Sequence, residues 1–263
     1  MVGVSDYSKA NPAQPELAGA RDAQHLLRVW GEQGRSTLYE QVKPLKPLLD
    51  GAATPEAIRK QLEALRGLVK PDDQFVLFLA GHGYAEKDKK TGEYRPGSFY
   101  FVGPRFDVNK VAQTALSSKD LYQDLAKLRC HQLVLLDACH SGDVASNPLQ
   151  DLRLNGVGAV ILTACKNSQE AFETRDHGLF LAALDEALGA DFKADRNRDG
   201  VIEPSELAGY VIERVPQLLR EVDDTKRRAQ DPQVSPRAEE LAAYLRPLAK
   251  KPIGESRGGT PPR

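Results

Sequence analysis

Apolar residues fall along this chain in two rhythms. Short runs, Phe75 to Ala80 (FVLFLA), Leu133 to Leu136 (LVLL) and the end of Gly156 to Thr163 (GVGAVILT), carry almost no polar spacing. A strand of that kind is covered on both faces, as in a parallel sheet. Between the runs, apolar positions recur every three or four residues, the period of a helix with one buried stripe. Pro15 to Trp30 is such a segment, with Leu17, Ala20, Leu26, Leu27 and Trp30 inward. Thr54 and Pro55 open another. Threonine caps the free N–H groups, proline fits the first turn, and Ile58, Leu62, Leu65 and Leu68 form the stripe. Ser117 caps a third helix through Leu128, Gly178 to Leu188 is a fourth, and Glu206 leads into a fifth with Leu207, Tyr210, Val211 and Val215 on one face. Pro216 predicts a kink or an early end to that helix. Val2 to Val4 ends a first strand, Ser36 to Leu45 alternates loosely as a second closed by Pro44 and Pro47, and Ser98 to Gly103 is an aromatic-rich strand. Strand, helix, strand, helix, strand predicts a mostly parallel sheet with helices on both faces.

Composition narrows what such a sheet serves. With 263 residues, 41% of them hydrophobic, the chain can bury one large core or two small ones. The formal net charge is −1 and Lys and Arg are scattered, with KDKK at Lys87 to Lys90 a short solvated run, so no nucleic-acid partner is expected. The start, MVGVSDY, has neither a charged leader nor an apolar one, and no apolar run approaches the ~18 residues of a membrane span. A soluble, cytoplasmic chain without a membrane partner is expected. Three cysteines with no CxxC argue against a disulfide framework or a structural zinc site, and a reducing compartment would keep a reactive thiol active.

Two of the runs stop in chemistry. FVLFLA ends in Gly81-His82-Gly83, and LVLL ends in Asp137-Ala138-Cys139-His140-Ser141-Gly142. The carboxyl edge of a parallel sheet is where departing loops diverge and open a crevice. His82 and Cys139 are 57 positions apart, room for one crossover, so the two strands can be neighbours with both side chains at one edge. A free thiol is mostly protonated near neutral pH, and an imidazole must take its proton before attack on a carbonyl. The backbone N–H groups of Gly83 and Cys139 can then serve as an oxyanion hole. Cys130 reads as a small buried hydrophobe and Cys165 as structural. The bland alternative is a buried structural cysteine and a turn histidine.

GHG after one strand and DACHSG after another resemble the caspase-like cysteine peptidases, nearest the metacaspase and prokaryotic caspase-homologue branch. The resemblance covers roughly Val2 to Pro236 and implies an α/β caspase-like three-layer sandwich, a peptidase domain over residues 1–236, and protein or peptide substrates. Asp137 stands where animal caspases carry glutamine, and D-x-C-H-S-G resembles the metacaspase form. Asp22, in GARDA after Gly19, resembles an early metacaspase acid that lines the substrate pocket, one residue short in spacing; the alternative is an exposed helix carboxylate. The stretch SQEAFETRDHGLF resembles the caspase segment beside the pocket, which would make Phe172 the wall of a neighbouring subsite and put Glu173 where animal caspases place arginine; the alternative is a charged surface loop. In relatives the loop after Asp143 is often cut; with a preference for cleavage after basic residues, Arg153 in that loop and Lys87 to Lys90 are candidate self-processing sites.

Acids at Asp137, Glu173 and Asp22 would repel one another in a narrow pocket unless a cation joined them, so cleavage after arginine or lysine is expected. Asp195 to Glu206 (DRNRDGVIEPSE) fits the twelve-residue calcium loop, with Asp195, Asn197, Asp199, the Val201 carbonyl and Glu206 as oxygen ligands, glycine at the sixth position, and no partner hand. A solvated acidic turn is the alternative. Arg237 to Leu248 is expected as an appended helix, and Pro252 to Arg263 as a disordered tail. Two other functions stay open: a catalytically silent homologue used as an interaction module, and a hydrolase of non-peptide amides or esters.

Overall fold

The computed structural model describes residues 1–142, 159–223, 225, 227–236, 241 and 246–251. Its centre is a six-stranded sheet. β1 (Val2–Gly3), β2 (Leu48–Leu49), β3 (Gln74–Ala80), β7 (His131–Asp137), β8 (Ala159–Thr163) and β10 (Gln233–Ser235) lie in the order β2-β1-β3-β7-β8-β10. Only β10 is antiparallel to its neighbour. The unbroken apolar runs are the central strands, as their patterning requires.

Alternate residues of those strands enter two separate cores. Leu77, Leu79, Val134 and Leu136 pack on one face with α2 (Pro55–Leu65) and α4 (Ser118–Leu125), through Ile58, Leu62, Leu65, Leu121 and Leu125. Phe78, Ala80, Leu133 and Leu135 pack on the other with α1 (Gly19–Gly31), α5 (Leu179–Leu188) and α6 (Pro204–Val222). This is the expected three-layer sandwich. Thr54 and Ser117 cap α2 and α4, accepting from Ala57 N and Asp120 N. A small antiparallel sheet of β4 (Gly83–Lys87), β5 (Tyr94–Val102) and β6 (Ala115–Ser117) leaves the main one directly after His82; the short α3 (Val111–Thr114) precedes β6.

Several expectations need correction. The strand over Ser36–Leu45 does not form. β2 is only Leu48–Leu49, because β1 offers two residues to pair with and the segment before it holds Pro44, which has no N–H to donate. α1 starts at Gly19, not Pro15, since the Leu17 and Ala18 N–H groups bond the Ser5 carbonyl and the Glu173 carboxylate instead. α6 passes through Pro216 without ending: one backbone bond is lost, while Leu207, Val211, Val215 and Leu219 keep both halves buried. Beyond residue 236, β11 (Ala249–Lys250) pairs antiparallel with β9 (Val201–Ile202). Most of the helix expected over 237–248, the tail from 252, and Arg153 lie outside the described residues.

Candidate active site

The register of β3 and β7 decides where the two candidate residues stand. Ala80 pairs with Asp137, and the Gly81 N–H donates to the Asp137 carbonyl at 3.0 Å, so His82 and Cys139 each lie two residues past the last paired position of adjacent parallel strands. Neighbouring strands are about 5 Å apart, which puts both side chains at one edge. Gly83 makes the approach possible: a Cβ there would overlap the Cys139 carbonyl oxygen.

His82 Nε2 lies 3.0 Å from the Pro15 carbonyl. A carbonyl only accepts, so Nε2 carries the proton and Nδ1 is left as the basic nitrogen. Burial pulls the imidazole pKa below its ordinary value, and the Pro15 bond partly restores it. Cys139 is half-buried, and its Sγ accepts from the Ala171 N–H at 3.4 Å. Burial pushes its thiol pKa up, the Ala171 bond opposing. Both shifts favour the neutral forms, a thiol and an uncharged imidazole. His140, next to Cys139, holds a left-handed φ of 60°. Its N–H bonds the Gln169 carbonyl at 3.0 Å, its Nδ1–H the Asn167 carbonyl at 2.8 Å, and its ring meets that of Tyr94 at 4.5 Å. Those contacts over-determine the turn that presents Cys139.

Three acids surround the N-terminus of α5. A Cβ at Gly178 would fall 2.7 Å from Asp137 Oδ2 and 3.2 Å from Asp22 Oδ2. Asp22 accepts from Gly178 N at 2.9 Å and from His177 Nδ1 at 2.8 Å. Glu173 accepts from Ala18 N at 2.9 Å, and its backbone bridges to Gly178. Asp137 is buried and its Oδ2 has no hydrogen-bond partner. Its carboxyl is pushed well above the usual range by burial first, then by the charges of Asp22 and Glu173, while the Leu181 N–H of the helix opposes. Asp22 and Glu173 are likewise raised, each chiefly by burial. Phe172 donates its N–H to Gln230 Oε1 at 2.9 Å and carries Arg228 5.2 Å above its ring. Lys87 to Lys90 run from the end of β4 into the exposed turn before β5.

In the 195–206 loop, Gly200 takes φ of +83° at the sixth position, a conformation that favours glycine. Asp195, Asn197 and Asp199 turn their side-chain oxygens on N–H groups of the loop. Glu206 accepts from Arg196, Asn197 and Glu203 N–H groups. An all-oxygen donor set is what calcium takes. Among the described residues, however, no three His, Cys, Asp or Glu side chains are gathered as metal ligands. β11 pairs with β9, which lies within the loop.

Sequence reasoning missed Pro15, Ala171 and Tyr7. Pro15 and Ala171 act through backbone groups, which leave no residue signal. His177, which bonds Asp22, was missed as well, though a polar residue just before the glycine that opens α5 is a signal that could have found it.

None of the curated proteins matches this chain. Among solved structures it is similar to protein GSU0716 from Geobacter sulfurreducens, at TM-score 0.61 and 18% identity over 95% of this chain and 97% of that one. It is similar also to caspase-1 from Spodoptera frugiperda, at TM-score 0.60 and 14% identity over 96% and 89%. At these identities the likeness shows the fold. Among the described residues no helix is long and apolar enough to cross a membrane. The CHAT domain family matches residues 1–189, most of the chain, with both His82 and Cys139 inside the match; the chain belongs to the CHAT domain family, a family of caspase-like cysteine peptidases.

Proposed function

We propose that this chain is a cysteine endopeptidase that cleaves proteins after arginine or lysine. His82 Nδ1 takes the Cys139 proton as Sγ attacks the scissile carbonyl. The oxyanion is held by the N–H groups of Gly83 and Cys139, a device worth about a hundredfold or more per donor. Collapse of the tetrahedral species breaks the C–N bond, and His82 returns the proton to the leaving amine. Water, deprotonated by the same imidazole, then hydrolyses the thioester. The presence of both residues at one strand edge favours this over a silent scaffold, which needs neither.

The observation that carries the specificity is the orphaned oxygen of Asp137. A buried carboxyl with one oxygen left without a partner, beside two more acids, is costly unless a ligand supplies the missing donor and charge. A guanidinium supplies both, bidentately; an ammonium supplies the charge. An aspartate side chain would be repelled. Two fluorogenic peptides differing only in Arg or Asp before the cleaved bond test this. Wild type should turn over the Arg peptide at least a hundredfold faster, with Cys139→Ala and His82→Ala both inactive. Faster turnover of the Asp peptide would overturn the specificity, and retained activity in Cys139→Ala would overturn the nucleophile.

Calcium at Asp195, Asn197, Asp199, the Val201 carbonyl and Glu206 is part of the same proposal, as a stabiliser of the segment behind the pocket. So is self-processing at Arg153 or within Lys87 to Lys90, which supply the basic residue the pocket would accept.

A further inference from the structure

Tyr7 lies just past β1, fully buried, with no part in the scheme above. Its hydroxyl accepts the His82 N–H at 2.8 Å and donates to the Val102 carbonyl at 3.4 Å. Its ring meets the imidazole edge-on, centroids 4.6 Å apart at 60°. A Cβ at Gly81 would overlap the same hydroxyl. β3 ends at Ala80, and the Gly81 N–H still finds a sheet partner in Asp137. The next N–H, that of His82, is past the ladder, and a buried backbone donor must be satisfied. Tyr7 satisfies it, reaching across from the segment after β1 while its ring walls the imidazole.

We propose that Tyr7 is the positioning residue for the base: it pins the end of β3 so that His82 keeps Nε2 on Pro15 and Nδ1 toward Cys139. This rests on the reading of His82 and Cys139 as the reacting pair. A phenol suits the place because it gives one donor and one acceptor without charge. Burial keeps it neutral by pushing its pKa well up, with the His82 N–H opposing and Asp50 and Cys139 adding. The titratable groups facing this cluster are Cys139 from the end of β7 and Asp50 from the turn after β2, with Glu170 and Asp137 acting on the thiol.

Alkylation of the Cys139 thiol by iodoacetamide in the full chain, followed across pH, tests the inference without any substrate. Cys130 and Cys165 are buried, and Cys139→Ala corrects for them. Tyr7→Phe should slow alkylation at neutral pH by about tenfold, the scale of one well-made hydrogen bond. It should also move the acid limb upward, toward the ~6.5 of a free imidazole. A purely structural role would move neither, and Leu62→Val in the same core should match wild type in both. Tyr7→Met, which also lacks the hydroxyl, provides the comparison if Tyr7→Phe does not fold. A folded Tyr7 variant with the wild-type rate and limb, while His82→Ala alters both, overturns this inference alone. A His82→Ala variant that alkylates like wild type overturns the dyad and this inference with it.

Discussion

Asp137 is the residue on which stability and specificity oppose each other. Its carboxyl pKa is raised by burial and by two neighbouring acids, so the folded chain holds a proton there more tightly than the unfolded chain does. Such a group costs nothing below its unfolded value of about 3.9, and the cost grows as pH climbs from there toward the folded value. Asp137→Asn should therefore melt higher than wild type at neutral pH, with the gap opening as pH rises from ~4. The same variant should lose about thirtyfold or more in kcat/KM on the Arg peptide, the scale of a severed buried charge pair. Thermal melts from pH 4 to 8 check the first half. A gap that does not change with pH would mean that Asp137 is not the strained acid described. The role of Asp137 as an acid beside the nucleophile was legible from its position two residues before Cys139. That its Oδ2 has no partner was not, because satisfaction depends on α1 and α5, which are far away in sequence.

At the scale of elements, patterning worked where burial on both faces left no ambiguity and failed where tertiary pairing decides. β3, β7 and β8 were readable as unbroken runs; β2 was not, since two residues beside a two-residue β1 carry no periodicity. The 195–206 loop lies between these cases. The spacing of its oxygen-bearing residues and glycine was legible, and the pairing of β9 with β11 was not, because the partner strand is almost fifty residues on. Calcium binding would have to draw Glu206 from the N–H groups of Arg196, Asn197 and Glu203 onto the ion. An ion held at a hundred times its Kd stabilises the fold by about 3 kcal/mol. For a domain of this size that is a rise in Tm of roughly 5–10 °C. Melts with calcium and with chelator should differ by that amount, and Asp195→Ala with Glu206→Ala should remove the difference. Superimposed wild-type melts at millimolar calcium would leave the loop as a turn that caps α6.

Across the whole molecule, one edge of one sheet collects contributions from distant parts of the chain. His82 comes from the end of β3, Cys139 from the end of β7, the carbonyl that holds the imidazole from Pro15, and the three acids from α1, β7 and the loop before α5, which the proposed reaction uses as base, nucleophile and pocket. Each half of the sandwich has its own apolar core, so these ends are held from both faces. The nucleophile and the pocket meet in a single measurement: labelling of the full chain by a peptidyl ketone inhibitor carrying arginine, against its aspartate counterpart, with the modified residue read by mass spectrometry. The arginine reagent should add one equivalent to Cys139 and the aspartate reagent essentially none. Addition at another cysteine, no addition, or equal labelling by both would contradict the account.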